Sequence, residues 1–485
     1  MKIRIDRSNN LPLYLQIKIQ IEEGIITGKY PCGFILPSER KLAQTLDVNR
    51  NTTIKAYEKL KDDDLIDSKV GKGTFVIYNQ NIKNDQDLFH EMYWDRVAGN
   101  FSFENSIDIM AKIMSDVKEK NLISLSGGFP SKKDFPYETL KNLTNDILMK
   151  NRDVFFQTPV RGDKNFRKIL KSYLYEEKSI RVLNNELMVT SGAQQGLNLV
   201  ISTFIKPGDL ILVENPTFFG AIQLFKKAGA KLIDSNLKSN GLDLNHVEYN
   251  LKKNDIKFIY LLPNYQNPTG NLMDLQSRKD MLYLAKKYRT PIIEEDPYGE
   301  LYYGKYMPTI KSLDHDNFVI YIGTFSKTIS PGFRIGYVAA DEDVIKKLVL
   351  LKQFVDIHAN TLSQHIIGEF INRGYYDDHL DKMRSLYLDK RDIMGEYLSY
   401  AKDSINFVKP MGGYYYWCEV LGNISLKEML SESVKRGVDF IPGEFFFSEA
   451  AEGENHFRLN FTHSSKEEIQ KGMEILTDIV KKYGE

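Results

Sequence analysis

Thr324-Phe325-Ser326-Lys327-Thr328-Ile329-Ser330-Pro331-Gly332-Phe333-Arg334-Ile335-Gly336 is the stretch on which the reading of this chain turns. A lysine sits between small hydroxyl residues, and an arginine follows seven positions later with Gly332 and Gly336 on either side. A partly desolvated lysine loses its proton more readily than one in water and can attack an aldehyde. Thr324 and Ser326 can donate to a phosphate, and Arg334 can hold it through a charge-assisted fork. The combination describes Lys327 beside a phosphorylated aldehyde, pyridoxal 5′-phosphate (PLP). A Ser-Lys pair alone is more often a solvated lysine at a strand end, so the weight rests on partners elsewhere in the chain.

Those partners recur at strand ends. Short apolar runs at 186–190, 210–214, 258–262, 291–294 and 319–323 are separated mostly by helical stretches. That alternation predicts an α/β fold with a mostly parallel sheet covered by helices, in which ligands sit beyond the carboxyl ends of the strands. After the first run, Thr190-Ser191-Gly192-Ala193-Gln194-Gln195-Gly196 opens a helix. Free backbone N–H groups at Ala193 and Gln194, with the helix dipole, make an anion site. After the second comes Phe218, which can stack on a flat heterocycle, although an aromatic there is by itself more often core. After the third, Asn267 lies in the turn Pro263-Asn264-Tyr265-Gln266-Asn267-Pro268-Thr269-Gly270 and can donate to a ring hydroxyl. After the fourth, Glu294-Glu295-Asp296-Pro297-Tyr298 offers a carboxylate for a protonated pyridine nitrogen, which keeps the ring an electron sink. Tyr298 can bond the ring oxygen. Lys327 follows the fifth run.

This ordered set resembles the fold-type-I PLP-dependent aminotransferases over roughly the last three-quarters of the chain. Pro410-Met411-Gly412-Gly413-Tyr414, Gly437-Val438-Asp439-Phe440-Ile441-Pro442-Gly443 and Phe457-Arg458-Leu459-Asn460-Phe461 are similar to blocks of their small C-terminal α+β subdomain. The resemblance implies a seven-stranded-type sheet with helices on both faces. It implies that Arg458, with Asn267, binds a substrate or effector carboxylate, a task suited to a bidentate guanidinium. Leu125-Ser126-Gly127-Gly128-Phe129-Pro130, and Gly128 within it, is expected to line the amino-acid pocket. A homodimer with sites at the subunit boundary is implied as well. Two positions depart from the pattern. Relatives carry an aspartate three residues before the tyrosine, where this chain has Glu295; either Glu295 serves with a longer reach or Asp296 serves in a shifted register. Relatives also carry a tyrosine, reaching the partner subunit's cofactor phosphate, where this chain has Gln157, preceded by Phe155 and Phe156.

The bulk numbers are compatible with this. At 485 residues the chain is too long for one ordinary core. Net charge is zero, so any affinity for nucleic acid must be local. Two distant cysteines, Cys32 and Cys418, exclude a disulfide framework and a cysteine-based zinc site and fit a reducing cytoplasm. No run approaches the length of a membrane span, no signal peptide is evident, and no metal site is expected.

The first eighty residues read differently. A helix is expected over 11–27, with Leu15, Ile19, Ile21, Ile25 and Ile26 as its apolar stripe. Ser38 caps a second helix, Asp47-Val48-Asn49 is a tight turn, and a third helix spans 50–64. Two helices joined by a short turn form a helix-turn-helix, and Ser68-Lys69-Val70-Gly71-Lys72-Gly73-Thr74-Phe75-Val76-Ile77 forms a wing. Arg50, Asn51, Thr52 and Lys55 open the recognition helix, with side chains suited to bases and phosphates. On charge alone a protein-interaction module serves equally well. Pro37-Ser38-Glu39-Arg40-Lys41-Leu42-Ala43, Val48-Asn49-Arg50-Asn51-Thr52, Ala56-Tyr57 and Gly71-Lys72-Gly73-Thr74-Phe75-Val76 nevertheless resemble the winged helix of GntR-type regulators. That resemblance implies DNA contacts from Arg40, Arg50, Thr52, Lys72 and Gly73, and Ser38, Asn51 and Lys55 are further candidate contacts.

The expected organisation is a winged helix at 1–78, a linker with helical segments at 79–121, a PLP-binding large domain at 122–370 and a small domain at 371–485. From end to end the chain resembles MocR-type transcriptional regulators. The resemblance implies a PLP-dependent switch on paired half-sites or direct repeats of DNA, driven by a small amine or amino-acid effector through imine exchange at Lys327. The alternative is an active amino-acid aminotransferase with an appended winged helix. The identity of the effector and the operator stay open at this level.

Overall fold

The computed structural model describes residues 3–7, 11–69, 73–78, 122–422 and 425–484. It divides into two compact units, 1–102 and 103–485. The expected linker at 79–121, with its helical segments at 88–93 and 107–118, and the wing-tip residue Lys72 lie outside the described residues.

The first unit is built on three helices, Leu13–Ile26, Glu39–Leu46 and Arg50–Asp62, and an antiparallel pair, Ile66–Lys69 with Gly73–Val76. Ser38 caps the second helix by accepting the Lys41 N–H at 3.3 Å, and Asp47 ends it in the left-handed region at φ 51°. Asn49 then caps the third by accepting the Asn51 N–H at 2.9 Å. Each cap satisfies a donor that helix geometry leaves unpaired. Thr53 Oγ1 donates to Glu39 O at 3.0 Å and Tyr57 Oη to Pro37 O at 2.7 Å, so the third helix is pinned to the second from within. Ile17, Ile21, Ile25, Leu42, Ala56, Tyr57, Leu60 and Val76 form the core. The expected stripe on the first helix needs correction. Ile19 is 47% exposed and Ile17 is buried in its place, because the face that packs follows Ile17, Ile21, Gly24 and Ile25. Gly24 is there to admit Tyr30, whose ring would lie 2.2 Å from any Cβ.

The second unit is organised by a sheet ordered Leu187–Thr190, Gly336–Ala339, Val319–Thr324, Ile292–Asp296, Ile256–Leu261, Leu210–Asn215, Lys231–Lys238 and Gly241–Leu242. The five expected strands are present. Lys231–Lys238 and Gly336–Ala339 escaped the sequence reading, the first because it is a partly exposed strand with little apolar run, the second because it is only four residues long. Gly336–Ala339 runs antiparallel to both neighbours, whereas the central strands pair in parallel. The pleat sends alternate side chains to opposite faces. Met188, Val213, Tyr260, Ile293, Ile322 and Val338 pack on one side with the helix Ala193–Phe204. Ile259, Leu261, Ile292 and Val319 pack on the other with Leu275–Tyr288. A four-stranded antiparallel sheet of Ile405–Phe407, Tyr415–Val420, His456–Asn460 and Ile441–Pro442 forms a smaller α+β layer with the long helices Tyr375–Tyr400 and Lys466–Gly484. The two-residue strand Ile123–Ser124 pairs in parallel with Val438–Asp439, so the segment that leads to Gly128 is anchored from the C-terminal end of the chain. No described helix is long and apolar enough to cross a membrane.

Candidate functional site

Lys327 lies just beyond the carboxyl end of Val319–Thr324. Its Nζ donates to Gly128 O at 2.6 Å and sits 5.6 Å from the centre of the Phe129 ring. Burial pushes its pKa below the ordinary lysine value, and Arg458 and Arg334 push the same way, while Tyr415 and Glu295 oppose them. This is the environment that favours a neutral, nucleophilic amine. Tyr414 Oη donates to the Lys327 carbonyl and fixes the backbone from which the side chain rises. A Cβ at Gly128 would stand 2.9 Å from Tyr415 Oη, so the backbone there approaches the lysine only because it is glycine.

The residues expected to hold a phosphate lie close to one another. The helix Ala193–Phe204 has no side-chain cap, and Gly192 precedes it at φ 92°. A Cβ on Gly192 would meet Arg334 Nη2 at 2.5 Å, and one on Gly336 would meet Ala193 N at 2.7 Å. Two glycines thus let the arginine and the helix start share one small space. Arg334, in the left-handed region at φ 53°, donates to Ser191 O at 2.8 Å and remains exposed. Thr324 Oγ1 accepts the Ser326 N–H at 3.1 Å and donates to Ser326 Oγ, so the two hydroxyls are mutually oriented. Gln194 is exposed on the first turn of the helix. Phe218 is half-buried, edge-to-face with Phe219 at 5.0 Å.

The pleat separates the two candidate carboxylates. Glu295 falls on the face of Tyr260, whose Oη donates to Glu295 Oε2 at 2.6 Å, and it acts electrostatically on Lys327. Burial raises the Glu295 pKa, with the Tyr260 bond and Lys327 working against that. Asp296 falls on the opposite face, among Lys178 Nζ at 2.8 Å, Tyr321 Oη at 2.7 Å and Asn264 Nδ2 at 3.0 Å. Lys178 is also paired with Glu300 at 3.0 Å. Asn264 Oδ1 takes Arg278 Nη2 at 2.8 Å, and the same nitrogen holds Pro263 O, so this back-face network also braces the turn that carries Asn267.

Arg458 comes from an inner strand of the small sheet, His456–Asn460. It is 4% exposed and lies over the Tyr415 ring at 4.0 Å. It donates to Asn267 Oδ1 at 2.8 Å and to Ser126 O at 2.9 Å, and its buried Nε has no acceptor among the described residues. Asp439 accepts the Leu125 and Ser126 N–H groups and the Ser126 hydroxyl, which holds that segment in place. Tyr298 Oη is 3.0 Å from Tyr415 Oη. Tyr415, Tyr260 and Asp439 join the site without a motif of their own in the sequence: Tyr415 directly follows the stretch 410–414, and Tyr260 sits inside a strand and reads as core.

These residues fit the proposed cofactor. A half-buried amine of lowered basicity, an acid on its side of the sheet, an uncapped helix start beside an arginine and an arginine with an unsatisfied buried donor match an aldehyde, a pyridine, a phosphate and a carboxylate in turn.

On the first unit, Ser38, Arg40, Arg50, Asn51, Lys55 and Gly73 are exposed and Thr52 is half-buried. Lys55 Nζ lies 4.2 Å from the centre of the Tyr14 ring. The surface is one of exposed polar and cationic side chains at the start of a helix.

A fold-type-I α/β unit with a lysine just beyond the carboxyl end of a central strand, in one chain with a winged helix, defines the class: a regulator-like fusion of a DNA-binding domain to an aminotransferase scaffold. Comparison with known proteins agrees. Residues 120–476 match the family described as aminotransferase class I and II, and residues 13–76 match bacterial regulatory proteins of the gntR family. An uncharacterised HTH-type transcriptional regulator of Bacillus subtilis, YdfD, is 31% identical over 469 residues, 96% of each chain. Aromatic-amino-acid aminotransferase 1 of Thermococcus litoralis is 36% identical over 378 residues, 76% of this chain and 90% of that one. The structure of LysN, an α-aminoadipate aminotransferase from Thermus thermophilus complexed with N-(5′-phosphopyridoxyl)-L-leucine, superimposes with a TM-score of 0.73 at 29% identity, covering 81% of this chain and 99% of that one. The chain belongs to the class I and II aminotransferase family and carries a gntR-family domain at its N-terminus, the MocR-type architecture.

Proposed function

We propose that this protein is a PLP-dependent transcriptional regulator whose DNA binding responds to a small amine or amino acid. The observation that carries the reading is the pairing, through the 125–129 segment, of a half-buried Lys327 with an Arg458 whose Nε lacks an acceptor. When bound, the cofactor supplies an aldehyde carbon for which Lys327 and an effector amine compete, so that the effector is sensed by imine exchange at Lys327. The chain's own residues do the rest. Ala193 and Gln194 N–H groups, Thr324, Ser326 and Arg334 hold the phosphate. Phe218 covers the ring, Glu295 faces its nitrogen, and Asn267 and Tyr298 face its oxygen. Asp296, with three donors already on its carboxylate, is left to brace the strand. Arg458, with Asn267 and the Gly128 backbone, receives the effector carboxylate.

The recognition surface of Ser38, Arg40, Arg50, Asn51, Thr52, Lys55 and Gly73 meets DNA. A second copy covers the exposed apolar side chains of the large unit, among them Leu350 at 67%, Phe354 at 87% and Phe156 at 66% exposure. Paired heads then read paired half-sites or direct repeats. To move such a switch from mostly one state to mostly the other, the effector must prefer one state by about 5 kcal/mol.

The test is the visible absorbance of the PLP-treated protein beside Lys327→Ala, titrated with an amino-acid panel. A band that is absent in the variant and shifts with one class of amine, together with a DNA mobility shift that responds to the same amine, supports the switch. A wild type with no band sinks it. Sustained conversion of amino and keto acid with no DNA response favours the alternative, an aminotransferase with an appended winged helix.

A further inference from the structure

We infer that Asp356, neutralised by Lys352, is a positioning residue for the phosphate-holding turn at 190–196. The inference rests on the reading of that turn as a phosphate site. Asp356 directly follows the helix Glu342–Val355, about 160 residues from the turn in sequence. Its Oδ2 accepts Ser191 Oγ at 3.0 Å and Gln195 Nε2 at 2.7 Å. Its other oxygen is ion-paired with Lys352, whose side chain is fully buried. Lys352 Nζ also reaches Gln195 Oε1 at 3.3 Å, and that oxygen accepts the Ser191 N–H at 2.7 Å. Ser191 O is the acceptor on which Arg334 rests.

The circuit has a physical consequence. The hydroxyl and N–H of Ser191 and the amide of Gln195 are all engaged on the Asp356 side. The peptide at Ser191 is therefore held with its carbonyl on Arg334, and the uncapped N–H groups at Ala193 and Gln194 are left for an anion. A bare carboxylate near a phosphate would repel it. Lys352 removes that penalty, which accounts for a fully buried lysine at this point. Preorganised donors hold a charged ligand better than donors that must be oriented on binding.

Full-length wild type and Asp356→Asn are compared for binding of pyridoxamine 5′-phosphate and of pyridoxamine by calorimetry or fluorescence. Neither probe can form an imine with Lys327, so the result is independent of the lysine's chemistry. Asp356→Asn is expected to weaken the phosphorylated probe about tenfold, the scale of one charge-assisted hydrogen bond, and to leave pyridoxamine unchanged. Ser191→Ala, which cuts a single link of the circuit, is expected to act in the same direction by a smaller factor and serves if the first variant does not fold. Equal weakening of both probes, no weakening of either, or a wild type that gains nothing from the phosphate each overturns the inference. A phosphate-specific loss in a protein that forms no imine with PLP would uphold it while the switch at Lys327 fails.

Discussion

The two units place their working side chains in opposite physical settings. In the winged helix, Arg40, Arg50, Asn51 and Lys55 stand exposed, and the core behind them is made of Ile17, Ile21, Tyr57 and Leu60. In the larger unit, Glu295, Asp296, Arg458 and Lys178 are buried and tied to partners before any ligand arrives. A surface that reads a polyanion needs charges that water can reach and a duplex can displace. A pocket that runs amine chemistry needs charges held out of water at fixed positions. Mutational cost is therefore expected to divide along the same line, with function separable from stability in the first unit and entangled with it in the second.

The sharpest way to break that comparison is Lys178→Met. It removes the cation shared by Asp296 and Glu300 and strands two buried carboxylates. A loss of about 3–5 kcal/mol is expected in chemical denaturation, the cost of breaking a buried pair by deleting one partner. A loss below about 1 kcal/mol would place Asp296 among ordinary surface pairs and erase the contrast.

Glu214 offers an intermediate effect with a pH signature. It is buried at the end of Leu210–Asn215, and burial pushes its pKa up to about 8, opposed by the Gln266 amide and the Leu262 N–H. A carboxyl raised in the folded state binds its proton more tightly there than in the unfolded chain. Its contribution is thus fully present below its ordinary value of 4.5 and is lost as pH rises toward about 8. Glu214→Gln should flatten the stability profile between those limits, by an amount on the order of a few kcal/mol. A profile that keeps its slope would show that the carboxyl is already ionised at low pH.

The smallest expected stability effect belongs to Arg50→Ala. Thermal stability should change by less than about 0.5 kcal/mol, because the side chain is exposed. DNA affinity should fall across sequences, and the salt dependence of binding should drop by about one counterion if Arg50 meets phosphate. A large stability loss with no change in salt slope would make Arg50 structural.

Much of this was legible in the chain. The Ser-Lys stretch, the Gly-x-Arg-x-Gly and the five strand-end motifs are local signals, since each depends on residues that lie within one turn of one another. The cap at Ser38 was equally local. The first helix shows the limit. Ile17 and Ile19 are both isoleucines two positions apart, and only the packing partner tells which one turns inward. Glu295 and Asp296 show it more sharply. They are adjacent carboxylates with the same chemistry on paper, and the pleat gives one to Tyr260 and the Lys327 side, the other to Lys178 and the back face.

The sequence by itself determined the class of fold, the two-part organisation and the lysine at the centre, because periodicity, capping and short motifs are written in neighbouring residues. Only the tertiary structure decided which carboxylate faces the lysine, that Arg458 reaches Asn267 and Ser126, and that Asp356 grips the turn at Ser191. The Arg458 and Asp356 contacts join residues 165 to 332 positions apart. Such pairs meet because a polar or charged group taken out of water needs hydrogen-bond partners, and that condition acts on the folded chain as a whole rather than on any stretch of it.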